Sequence, residues 1–171
     1  MIPQIKKILY ATDLTANSAY AAYFALDLAH KYQAKIVMLH CTETFSRGHY
    51  GLGAVYMPPV EEVLDDKRQA AEAELKRRLG EFYRKVGSKI TPDYARLVSE
   101  IIVKPAYAVE EILNTADAEE CDLIILGTHG KGWLKQTFLG STARSVLERT
   151  RKPMFIIPLP SEKIDIDWDA A

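Results

Sequence analysis

Four of the chain's nine glycines (Gly127, Gly130, Gly132 and Gly140) fall in one stretch, Gly127-Thr128-His129-Gly130-Lys131-Gly132-Trp133-Leu134-Lys135-Gln136-Thr137-Phe138-Leu139-Gly140-Ser141-Thr142. Glycine lets a ligand come close to the main chain, and successive backbone N–H groups can form a nest for negative charge. Gly140-Ser141-Thr142 stands where a helix should open. The first N–H groups of a helix lack internal partners and carry the positive end of its dipole. Phosphate is the anion such a helix start is built to hold, and the Ser141 and Thr142 hydroxyls would add donors. The competing reading is a plain strand-to-helix connection with Ser141 as its cap. The stretch is not a Walker A loop, G-x-x-x-x-G-K-[ST], and Gly127–Gly132 is not G-x-G-x-x-G.

The elements around this stretch must present it to a ligand. Ile5–Thr12 reads as a short buried strand ended by the polar turn Asp13-Leu14-Thr15. Ala21, Ala25, Leu28, Ala29 and Tyr32 then make one stripe of a helix. Lys35–Cys41 is a second apolar run, continuous as in strands buried on both faces. Thr42–Pro58 reads as a long loop, either a functional lid or a surface insertion. Pro59 opens a helix carrying Leu64, Ala71, Leu75, Leu79, Phe82 and Val86, which Gly87 ends, with its charges on a solvated face. Leu97–Val103 is a third strand, and after Pro105 a helix buries Val109, Ile112, Leu113 and Ala116. Cys121–Leu126 is a fourth strand and Gly127–Gly140 a loop. Ser141–Thr150 is a helix with Ala143, Val146 and Leu147 inward, and Pro153–Pro158 a fifth strand. The expected fold class is therefore α/β: one domain over residues 1–160, with a parallel sheet covered by helices on both faces and an acidic tail over 161–171. Ligands of such sheets bind at the carboxyl ends of the strands, where strand order reverses. Asp13 ends the first strand, so its carboxylate is expected to accept from a sugar hydroxyl or base amine. Its other reading is a turn or cap residue for the next helix.

The bulk properties limit the partners. The formal net charge is −1 over 171 residues, so no global field draws in nucleic acid or anionic lipid. An anion must be held by a local device. The two cysteines, Cys41 and Cys121, have no metal-type spacing and read as buried free thiols. No apolar run nears the roughly 20 residues that span a bilayer, and the N-terminus lacks the apolar core of a signal peptide. The expected location is the cytoplasm.

The spacing Gly127-x2-Gly130-x9-Gly140-Ser141 resembles the ATP-binding signature of the universal stress protein family, G-x2-G-x9-G-[S/T]. The resemblance covers about residues 2–159. Tyr10-Ala11-Thr12-Asp13-Leu14-Thr15 is similar to the family's P-T-D-x-S turn, Leu39-His40-Cys41 to its L-H-V, and Lys152–Pro158 to its closing strand. The resemblance implies a Rossmann-like, five-stranded parallel sheet of order 3-2-1-4-5, which sets Asp13 and Gly127 on one crevice. It implies that Asp13, with Ala11 and Thr12 beside it, contacts the nucleoside, and that Cys41 meets adenine through its backbone. Gly127, His129, Gly130, Gly140, Ser141 and Thr142 would hold ribose and phosphates, accompanied by Mg²⁺ or Mn²⁺. Two departures stand out: Ala11 replaces the usual proline, and Ile102-Val103-Lys104-Pro105 lacks the glycine many members carry before the proline that follows strand three.

The function this implies is an ATP-binding (or AMP- or ADP-binding) stress-response regulatory module, homodimeric through strand Pro153–Pro158. His129 and Lys131 invite a catalytic reading, but no general base oriented by a third group is visible, so fast turnover is not expected. Slow ATP hydrolysis or phosphotransfer is the alternative, as is a ligand-free dimeric interaction protein. The intact glycine signature argues against the last.

Overall fold

The computed structural model describes residues 4–42, 65–66, 68–70, 72–78, 81, 96–128 and 139–158. Five strands, β1 (Lys7–Thr12), β2 (Lys35–Thr42), β3 (Val98–Pro105), β4 (Leu123–Gly127) and β5 (Met154–Ile157), form one sheet of order β3-β2-β1-β4-β5. Every neighbouring pair is parallel. The expected α/β class and strand order are therefore those observed. Order reverses between β1 and β4, so their carboxyl ends flank the switch point where ligands of such sheets bind.

The apolar runs are continuous because the central strands are buried on both faces. Ile8, Tyr10, Ile36, Met38, Leu123 and Ile125 pack with Ala19, Ala22, Ala25, Leu26 and Ala29 of α1 (Ala16–Tyr32), and with Leu75 from the helical residues between 65 and 81. Their alternates Leu9, Val37, Leu39, Ile124 and Leu126 pack with Ile112 and Ala116 of α2 (Ala108–Ala118) and with Ala143 and Val146 of α3 (Ser141–Arg149). The run of alanines on α1 lets that helix lie close to the sheet. One clamp ties the amino-terminal end of the sheet together: the Asp122 carboxylate accepts from the N–H groups of Lys6 at 2.7 Å and Lys7 at 2.9 Å.

Several local expectations shift. Tyr32 and Leu147, expected inward, are exposed at 54% and 48%; Tyr32 is the last residue of its helix, which Gln33 caps, and Leu147 lies one position past buried Val146. β3 runs to Pro105, and its pairing with β2 skips Ser99, whose hydroxyl donates to the Ile36 carbonyl at 3.2 Å. That one-residue bulge explains the blurred alternation at Ser99 and Glu100. Gly127 is the last residue of β4 rather than the first of a loop. The long segment after Thr42, the outer parts of the helix expected after Pro59, and the acidic tail 161–171 lie outside the described residues. Among the described residues, no helix is long and apolar enough to cross a membrane.

Candidate functional site

A cavity of about 140 Å³ opens at the switch point, lined by Ala11, Thr12, Asp13, Ser18, Leu39, Cys41, Ala108, Ile112, Leu126, Gly127, Thr142 and Ala143. Six of the expected ligand residues, Ala11, Thr12, Asp13, Cys41, Gly127 and Thr142, thus meet around one space. Gly140 and Ser141 stand beside Thr142 at the start of α3 but outside the lining, and Ser141 is exposed. His129 and Gly130 lie outside the described residues. The cavity is smaller than the roughly 300–1,000 Å³ of typical small-molecule sites.

The polar corner is a hydroxyl network at the end of β1. Thr12 Oγ1 donates to Ser18 Oγ at 2.8 Å, and Ser18 Oγ donates to the Thr15 carbonyl at 2.9 Å. Thr15 caps α1, its hydroxyl oxygen accepting from the Ser18 N–H. Beneath them Tyr10, fully buried, donates its hydroxyl to the Ser18 carbonyl. Burial holds the Tyr10 phenol far above its ordinary range, with Asp13 adding to the rise against the Thr12 and Ser18 hydrogen bonds. Asp13 Oδ1 accepts from the Thr15 N–H at 3.0 Å and from its hydroxyl at 2.6 Å. Asp13 therefore does hold the turn into α1, as its alternative reading had it, and the residue also lines the cavity. The turn engages Oδ1 of the carboxylate.

The turn is strained. Leu14 sits at φ 62°, a left-handed conformation that costs an L-residue other than glycine roughly 1–3 kcal/mol and persists where the surroundings over-determine it. Its N–H donates to Thr12 Oγ1 at 3.1 Å, and its carbonyl accepts from Arg78 Nη1 at 3.1 Å. On the neighbouring strand His40 Nδ1 lies 2.8 Å from the Thr12 carbonyl. A carbonyl only accepts, so Nδ1 carries the proton.

Apolar groups make up the other walls. Leu39, Ile112 and Leu126 form the floor, as the ends of buried strands and a helix stripe require. Cys41 is half-buried rather than buried, and it lines the cavity. Burial first and the Glu111 charge second push that thiol up to about 11, against the pull of Lys104. Opposite lies the start of α3, capped by Gly140 at φ −61°, ψ 151° with no side-chain hydrogen bond. Any residue can adopt that conformation. The glycine matters for what it omits, a capping oxygen that would occupy the first N–H groups of α3.

Ser18, Leu39, Ala108, Ile112, Leu126 and Ala143 line the cavity but were not read as site residues. Ile112 and Ala143 were visible as buried stripes, and Leu39 and Leu126 as strand ends. Ser18 and Ala108 carry no signal of their own, since only the docking of α1 and α2 brings them to the cavity.

Among known proteins, the universal stress protein family matches residues 4–158. Universal stress protein MJ0577 of Methanocaldococcus jannaschii is 28% identical over 158 residues, covering 89% of this chain and 94% of that protein. Universal stress protein YxiE of Bacillus subtilis is 30% identical over 152 residues, covering 88% and 97%. The solved structure of MJ0577 superposes with a TM-score of 0.66 at 24% identity, covering 94% of this chain and all of that one. A universal stress protein solved in complex with cAMP shares the fold at a TM-score of 0.53 and 16% identity, covering 91% and 98%. With the family match spanning nearly the whole chain and the sheet order that the signature implied, this chain belongs to the universal stress protein family.

Proposed function

We propose that this universal stress protein is an ATP-binding regulatory module of the stress response. The nucleotide occupies the switch-point cavity, with its phosphates on Gly127-x2-Gly130-x9-Gly140-Ser141. One observation carries the reading: Ala11, Thr12, Asp13, Cys41, Gly127 and Thr142, drawn from β1, β2, β4 and α3, line a single cavity. Leu39, Cys41, Ile112 and Leu126 offer apolar walls for adenine, and the Asp13 carboxylate an acceptor for ribose. The uncapped N–H groups of α3, with Ser141 and Thr142, offer donors to phosphate. A residue with a side chain at 127 would intrude on the cavity wall, which suits glycine there. His129 and Gly130 complete the phosphate contacts in this reading. The relative solved with cAMP supports the ligand class, an adenosine phosphate, on the same fold.

ATP is the proposed ligand, with AMP and ADP as shorter alternatives, and Mg²⁺ or Mn²⁺ accompanies the phosphates. Among the described residues no group of three or more His, Cys, Asp or Glu side chains could hold a metal ion. The ion would draw its ligands mostly from phosphate oxygens and water, as Mg²⁺ does in nucleotide sites. The protein acts in the cytoplasm as a homodimer through β5, which is an edge strand of the sheet among the described residues and whose Phe155 is 44% exposed. Calorimetric titration tests the ligand: saturable ATP binding near one per chain is expected, and absence of binding for ATP, ADP and AMP alike removes the proposal.

A further inference from the structure

The strained turn beside Asp13 is gripped from outside the cavity. Leu14, at φ 62°, is held at its N–H by Thr12 Oγ1 and at its carbonyl by Arg78 Nη1, both at 3.1 Å. Thr12 belongs to β1 itself, but Arg78 comes from a helix 64 residues further along the chain. Its Nε donates to Glu74 Oε1 at 2.6 Å, which fixes the guanidinium on its own helix, and its side chain is only 20% exposed. Arg78 does not line the cavity. Leu14 directly follows Asp13, which lines the cavity and bonds Thr15 across the same turn, so a relaxation of the Leu14 backbone to negative φ would rotate the Asp13–Leu14 peptide and displace Asp13 from its place in the lining.

We propose that Arg78 is a positioning residue of the nucleotide site: by clamping the Leu14 carbonyl it keeps Leu14 left-handed and Asp13 in its place in the cavity lining. The inference rests on the nucleotide-binding reading above. It also makes the helix carrying Arg78 a regulatory input. Whatever holds the clamp favours the ligand, and the ligand favours the clamp by the same factor.

The test exploits glycine, which enters the left-handed conformation without the steric cost that leucine bears. ATP affinity is titrated for the wild type, Arg78→Met, Arg78→Lys, Leu14→Gly and the combination of Arg78→Met with Leu14→Gly. Arg78→Met is expected to weaken binding about fivefold or more, within the usual span of coupling between sites. Arg78→Lys, which keeps one donor, should recover part of the loss. Leu14→Gly should bind like the wild type and should restore most of the affinity in the Arg78→Met background. A purely structural arginine would show no such rescue. Should Arg78→Met fail to fold, the same comparison is made with Arg78→Lys. Undiminished affinity in the arginine variants, or a loss that Leu14→Gly does not repair, overturns the positioning role and leaves the nucleotide site standing. A wild type that binds no nucleotide overturns both.

Discussion

Gly140 caps α3 without offering a capping oxygen, and it is the residue at which stability and ligand binding pull apart. Gly140→Asp would satisfy the free N–H groups and complement the helix dipole, adding about 0.3–1 kcal/mol. It would also place a negative charge where phosphate is proposed to lie. The expected outcome is a melting temperature unchanged or raised, with ATP affinity reduced at least tenfold, an order-of-magnitude expectation for a misplaced charge beside a phosphate. Equal affinity in both proteins would remove α3 from the phosphate site. Cys41 makes a second residue-scale prediction. With its thiol pushed up to about 11 from 9.0, its thiolate fraction at pH 8 is about 100-fold below that of a free cysteine. Iodoacetamide labelling followed by mass spectrometry should be slowed by about that factor and slowed further by ATP. Labelling at the free-thiol rate would mean that the cavity wall is open there. The cavity-lining residues that could be read in advance include Asp13, marked by a carboxylate after a strand, and Gly127, marked by the glycine spacing. Cys41 was legible by position but not in its exposure, since half-burial is decided by how closely α2 packs against β2.

At the scale of elements, the continuous strands and alanine-rich α1 were legible because period and composition alone decide them. The ends were not. β3 runs two residues past its apolar stretch because pairing with Cys41 and Thr42 continues through Lys104 and Pro105. Leu147 is exposed because a stripe one residue too wide passes the periodicity test as well as a true one, and Tyr32 because its helix ends there although the period is kept. The left-handed Leu14 had no sequence mark either, as the bonds that hold it come from Thr12 and Arg78. The Asp122 clamp at the far end of the sheet separates folding from function. Asp122→Ala removes a charged acceptor from two N–H groups and is expected to cost about 1.5–3 kcal/mol in denaturant unfolding. ATP affinity should not change, because the clamp lies at the opposite ends of the strands. A fall in affinity beyond the loss of folded protein would mean that the sheet transmits strain along its length.

At the scale of the whole molecule, the buried Tyr10 and Cys121 and the half-buried Cys41 predict a pH dependence of stability. Burial raises Cys41 and Cys121 from 9.0 to about 11 and raises Tyr10 above 10. In each the folded state favours the neutral form, so the stabilisation is complete below the unfolded value. It is lost as pH rises from about 9 through the folded values. Thermal unfolding between pH 8 and 11 should show a falling melting temperature, and replacing both cysteines by alanine should flatten the decline. A flat curve in the wild type would mean the thiols are not buried as described. The same scale holds the proposed dimer. Among the described residues β5 pairs with β4 alone, and Phe155 on it is exposed, so Phe155→Glu should convert a dimer into a monomer in light scattering at micromolar concentration. A wild type already monomeric there would contradict the interface. The central claim concerns the ligand, and its most direct test is mass spectrometry of whatever the purified, denatured protein releases, with Gly130→Ala as the control. ATP near one per chain, lost in the variant, is the result expected, while AMP or ADP in its place would point to the shorter nucleotide or to slow turnover in the same site. No nucleotide released, and none taken up on titration, would contradict the claim and leave a universal stress protein that acts through its surface alone.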